Sequence, residues 1–227
     1  MSSFENEIFI WGKHKSFPDF IKISDNNKYL LEIEKVFDNS LYFSSLSSTK
    51  IIFYIFHKKK GFITGAVLQS MDSKLRNSPF LIGIRYKTIN YLKKWNNLFL
   101  SGFQIFENAD KIVNKEFDNI NSFKKEAFAT KKIRFSETFL FVSDDKIKKF
   151  VFENIKKEKE NLNKQKLMVF KVEKEKKNDI LKILYHIEKL TNITPFSFFL
   201  RENTNNFQLS FFYRKFSYKD LTNIWLS

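Results

Sequence analysis

The sequence predicts an α/β domain of the α+β kind, a mainly antiparallel sheet with helices packed on it. Three observations point there. Short segments rich in β-branched and aromatic residues, such as Lys50–His57 (KIIFYIFH), alternate with polar turns. Other segments repeat apolar residues at helical spacing, among them Ile180, Ile183, Leu184, Ile187 and Leu190. No Pro/Gly/Ser-rich linker and no internal repeat divides the 227 residues, so 1–227 reads as a single domain.

In chain order, Glu7–Trp11 is a short apolar strand that runs into Gly12. Ser24 or Asp25 caps a helix carrying Leu30, Ile33 and Phe37. Lys50–His57, three lysines, Gly61 and then Phe62–Gln69 make a hairpin that turns at Gly61. A polar loop, Ser70–Ser78, leads to Pro79 and a third strand, Phe80–Lys87; proline is tolerated at a strand's start because its missing N–H need not join the ladder. From about Asn90 to Ala129 the spacing is helical, through Leu98, Ile105, Ile112, Val113, Phe117 and Ile120, with an interruption at Gly102. Phe135–Ser143 is a further strand.

Asp144 or Asp145 opens an amphipathic helix over Lys146–Lys166, with Ile147, Phe150, Val151, Ile155 and Leu162 inward and mixed charge outward. Leu167–Val172 is a strand, and Asp179 begins the next helix. Pro195–Arg201, a Glu-Asn-Thr-Asn-Asn turn and Phe207–Arg214 form a second hairpin. Ser217-Tyr-Lys-Asp220 then matches a capping box ahead of Leu221, Ile224 and Trp225.

Charge and composition narrow the function. The net charge is +15, yet only five of the 40 basic residues are arginine: Arg76, Arg85, Arg134, Arg201 and Arg214. Phosphate-gripping and base-reading sites favour arginine for its bidentate fork. Lysine, asparagine, isoleucine and phenylalanine are inflated together, which points to compositional drift rather than a dedicated basic surface. A basic module on nucleic acid or an anionic membrane is the alternative reading, and would bind with steep salt dependence. Cysteine is absent, which removes disulfides, thiolate metal sites and a cysteine nucleophile together. Met1–Ile10 lacks the basic start and apolar run of a secretory signal, and no stretch reaches the ~18 apolar residues of a membrane span. The expectation is a cytoplasmic protein.

Catalytic chemistry is not legible. His14, His57 and His186 show no paired spacing for zinc, with His57 at a strand end and His186 on the polar flank of a helix. The five glycines form no phosphate-binding loop, and no G-x-S-x-G elbow occurs. Neither catalytic residues, cofactor nor metal are expected.

Two segments stand out. The first is Trp11-Gly-Lys-His-Lys-Ser-Phe-Pro-Asp-Phe20, where a strand ends at Gly12 and a polar loop holds Lys13, Ser16 and Asp19. Gly12 would supply a positive φ there, and Ser16 and Asp19 would bond nearby backbone N–H groups. The second runs from Gly65 through Ser70, Asp72 and Arg76 to Pro79 and Phe80. Asp72 and Arg76, four apart, form an ion pair that holds the loop, with Ser70 closing a turn. If β-strand Glu7–Trp11 lies beside 62–69, the loops form one patch. In a functional reading, Lys13 and Arg76 present donors to an acidic or phosphorylated partner.

These segments resemble the TagF (ImpM) family of type VI secretion proteins. The family's opening phrase is close to Y/F-G-K-x-P-S-x-G-D-F, matched here by Gly12, Lys13, Ser16, Asp19 and Phe20 with Trp11 in the aromatic place. Its later S-x-D-x-x-G-R phrase is matched by Ser70, Asp72 and Arg76, with Pro79 following. Lys15 stands where the family has proline, Pro18 where it has glycine, and Leu75 where it has the glycine before arginine. A positive φ at Leu75 would be strained. The resemblance implies a longin-like domain and a non-enzymatic, post-translational negative regulator of secretion assembly. It would act by protein–protein binding, on a forkhead-associated scaffold protein, without cofactor or nucleic acid.

Overall fold

The computed structural model describes residues 6–24, 50–57, 61–86, 95–132, 144–174, 179–217, 219–220 and 223–224. Among the described residues, eight strands form one sheet in the order β2-β1-β5-β4-β3-β7-β8-β6, every neighbouring pair antiparallel. They are β1 (Glu7–Gly12), β2 (Ile21–Ser24), β3 (Lys50–His57), β4 (Gly61–Met71), β5 (Asn77–Tyr86), β6 (Leu167–Glu173), β7 (Ser197–Glu202) and β8 (Asn206–Phe212). The described helices are α1 (Trp95–Asn114), α2 (Ile120–Ala129), α3 (Asp145–Lys157), α4 (Lys159–Gln165) and α5 (Ile180–Thr191). The α+β expectation therefore holds.

Strand alternation explains why the central strands read as continuous apolar runs. Along β4, Phe62, Ala66 and Leu68 join the large core under the helices, while Ile63 and Val67 join a second buried cluster. Ile105, Ala109 and Ile112 of α1 and Ile180, Ile183, Leu184 and Ile187 of α5 fill the first core. The second gathers Phe9, Trp11, Ile51, Phe53, Leu81 and Phe199, with Ile224 from the C-terminal segment.

Several expectations hold and several shift. The β3–β4 and β7–β8 hairpins form, but Gly61 is not at the first turn: it opens β4 and pairs with His57. Asp144 caps α3 through Ile147 N–H, and Ser217 and Asp220 make the reciprocal bonds of a capping box. Gly102 does not interrupt α1. It sits inside the unbroken helix because a Cβ there would lie 2.1 Å from the Tyr54 hydroxyl. The 146–166 helix is two, separated at Glu158, and α4 ends on Lys166 in a left-handed conformation. Ile120 and Leu190 are exposed, not inward. His186 is buried, not on a polar flank. Ser70 and Ser78 lie in the β4–β5 ladder, opposite one another, so the loop shrinks to 72–76. Strand β2 was not foreseen. The helix expected after Asp25 and the strand expected at 135–143 lie outside the described residues.

Candidate functional site

The site is built where the β1–β2 and β4–β5 turns meet at one end of the sheet. Gly12 makes the meeting possible. Its φ is +133°, and a Cβ there would lie 2.2 Å from the Pro79 carbonyl oxygen, so any side chain would strike β5. Gly12 thereby pairs with Phe80 on one side and Ile21 on the other. This corrects the expected neighbour: β1 lies beside β5, and β4 is one strand further away. The turns still converge, because the β4–β5 turn closes over the end of β1.

Asp72 is the junction. Its side chain is fully buried, and four donors satisfy it. Lys13 Nζ (3.0 Å) and Arg76 Nε (2.7 Å) reach Oδ2, while the Lys74 and Arg76 backbone N–H groups reach Oδ1, each at 2.9 Å. Burial alone would raise the carboxyl's pKa. The Arg76 N–H, the Lys13 ammonium, the Arg76 guanidinium and the Lys74 N–H outweigh it and hold Asp72 well below the usual carboxylate range. Further bonds stitch the turns together: Ser73 N–H donates to Phe17 O (3.1 Å), and Arg76 Nη2 donates to Pro18 O (3.0 Å).

The first turn is also fastened to the end of α1, whose last carbonyls have no partner within the helix. His14 Nε2 donates to Ile112 O at 2.8 Å, and Lys15 Nζ donates to Asn114 O at 2.6 Å. Ser16 N–H donates to His14 Nδ1 (3.2 Å), so the imidazole is the neutral Nε2–H tautomer. Ser16 Oγ in turn accepts from Phe117 N–H at 2.9 Å. The His14 ring is fully buried among Phe17, Phe80, Phe117 and Phe123. Burial lowers its pKa below 6.5; the Ile112 carbonyl opposes this, and Lys15 adds to it.

The sequence-selected residues thus fall into three groups. Gly12, Lys13, Ser16, Asp72 and Arg76 are brought together, with Pro79 against Gly12. Ser70 closes no turn; it belongs to the β4–β5 ladder. Asp19 is exposed on the first turn, and its expected backbone bond is not among those formed there. Lys13 and Arg76 do not simply hold donors outward, since both are engaged by Asp72; the Lys13 side chain is only 18% exposed and that of Arg76 54%. His14 was missed. Its place among the matched residues and beside Phe17 was the available signal, because a histidine flanked by lysines otherwise reads as surface.

Around this locked base, Pro18, Asp19, Phe20, Met71, Ser73, Lys74, Leu75 and Arg76 are exposed. Among the described residues, no three His, Cys, Asp or Glu are grouped as a metal ion would need, and no helix is long and apolar enough to cross a membrane. What the arrangement offers is a fixed, mixed polar and apolar face on an α+β scaffold.

No known protein family and no curated protein matches the chain. Among solved structures, PA0076 from Pseudomonas aeruginosa PAO1 is similar over 56% of this chain, at 14% identity and a TM-score of 0.43. The match spans 62% of that protein, under two-thirds of its length.

Proposed function

We propose that this chain is a non-enzymatic accessory protein of a bacterial type VI secretion system, working in the cytoplasm as a post-translational negative regulator of assembly. It acts by binding another protein, and the forkhead-associated scaffold of the system is the partner this reading names. The single observation that supports it is the convergence at Asp72 of two segments 59 residues apart, through Lys13. Lys13, Asp72 and Arg76, three of the residues that carry the family resemblance, are among those that close the loop pair. A face fixed in this way meets its ordering entropy during folding, so little is lost again on binding.

Deleting the gene in secreting cells tests the regulatory role. Effector release should rise and return to its starting level when the wild-type gene is restored. A double variant at exposed positions, Asp19→Arg with Lys74→Glu, should fail to restore control while keeping the wild-type melting temperature. Release that is indifferent to the deletion contradicts negative regulation. A purified scaffold that does not bind in a direct titration removes that partner.

A further inference from the structure

Eight large apolar side chains are exposed among the described residues, and three of them, Phe20, Met71 and Leu75, belong to these two turns or the end of β4. Leu75 is the most exposed of the eight, at 77%. Its backbone sits at φ 60°, a left-handed conformation that is uncommon and unfavourable for leucine and free for glycine. The turn is held in that conformation by Asp72. Oδ1 takes the N–H groups of Lys74 and Arg76 on either side of Leu75, and Leu75 N–H donates to the Asp72 carbonyl at 2.9 Å. An apolar side chain is therefore held out in water at the apex of a turn that cannot easily retract it.

The surroundings define what would cover it. Lys74 and Arg76 flank Leu75, and both are exposed. The two turns together hold four cationic side chains against two carboxylates, and one of those carboxylates, Asp72, is buried between Lys13 and Arg76. The two turns are net positive, and Leu75 stands between the exposed Lys74 and Arg76. Binding energy at protein interfaces concentrates in a few side chains that fill pockets and lose their water, while charges at the rim select the partner.

We propose that Leu75 is the anchor of this face, inserting into an apolar cleft on a partner protein whose acidic rim meets Lys74 and Arg76. The proposal rests on the protein-binding part of the function above and is independent of the secretion system and of the scaffold. A photo-crosslinking residue, p-benzoylphenylalanine, placed at position 75 in the producing cells tests it, with position 125 on the exposed side of α2 as control. The expected result is a protein adduct specific to position 75, mapping to an apolar cleft bordered by aspartate or glutamate. The captured protein, purified, should then lose about tenfold or more in affinity for Leu75→Gly and keep near-wild-type affinity for Leu75→Met.

Leu75→Gly relieves the left-handed leucine, so its melting temperature should not fall, which separates lost binding from lost folding. The anchor is overturned by the absence of an adduct beyond the control, by adducts with lipid or nucleic acid, by a cleft with no acidic rim, or by unchanged affinity of Leu75→Gly. A well-behaved adduct with a protein other than the forkhead-associated scaffold leaves the anchor standing and removes the partner named above.

Discussion

At the β1–β2 and β4–β5 turns, charged side chains converge on a carboxylate that has no exposed surface. Along α3 and α4 the same residue types stand in water: Lys164 and Glu160 pair one helical turn apart with side chains 72% and 74% exposed, and α4 buries no residue at all. Both regions look alike as strings of lysine and acid. Their energetics differ because a buried charge must be met by donors or give up its charge at a cost to stability, whereas an exposed pair merely exchanges water for a partner. Charge density in the sequence therefore does not locate a site. Convergence on one buried group does.

The comparison can be broken from either end. Asp72→Ala should have the largest effect, lowering the melting temperature by about 10 °C, because it strands the Lys13 ammonium and two backbone N–H groups. Gly12→Ala follows, at roughly 5 °C, since φ +133° and the Pro79 carbonyl both exclude a side chain. Scanning calorimetry of the two variants checks both values. If Asp72→Ala melts like wild type, the hub does not hold the turns.

Acid should separate the contributions. Burial keeps His14 below its ordinary 6.5, so the folded protein takes up that proton less readily than the unfolded chain. The stability from neutral His14 is complete above pH 6.5 and drains as the pH falls from there. Asp72 is held below its ordinary 3.8, so its contribution stays intact until about pH 4 and is lost beneath it. Urea unfolding across this range should show a first decline below pH 6.5, shared with the buried His186, whose pKa is also lowered by burial. The decline should be shallower in His14→Gln, whose amide does not titrate. An identical slope would remove His14 from the account.

Smaller effects calibrate the scale. The bonds of the capping box between Ser217 and Asp220 are exposed, and Asp220 also holds Arg214 through two part-buried bonds of 2.7 Å. Ser217→Ala should cost about 1 kcal/mol. Lys164→Ala, in the exposed pair, should change stability by no more than ~0.5 kcal/mol. A larger loss there would mean that the exposed helices are not the passive surface their burial describes.

Much of this was legible in the sequence, for reasons that particular residues make plain. Lys50–His57 reads as strand because its aromatic and β-branched residues serve two buried faces. The Asp72–Arg76 pair and the Ser217–Asp220 box are local, within four residues, and local rules find them. The rest depended on partners distant in the chain. Gly102 reads as a break until Tyr54, 48 residues earlier, is seen to need its space. Lys13 meets Asp72 across 59 residues, and His14 meets Ile112 across 98. His186 reads as a polar flank until its burial is seen. Neither histidine carries a signal of burial in its own spacing. Leu75 was legible as a source of strain, but its exposure at the apex was not.

The claim that the two turns behave as one body is tested most directly by amide hydrogen exchange in Lys13→Ala. Ser73, Lys74 and Arg76 donate to Phe17 O and Asp72 Oδ1 in the intact protein. Removing Lys13 should raise their exchange by at least about tenfold, while amides in the β7–β8 hairpin keep their protection. Unchanged protection at Ser73, Lys74 and Arg76 would mean that each turn holds its own shape, and that no shared face exists.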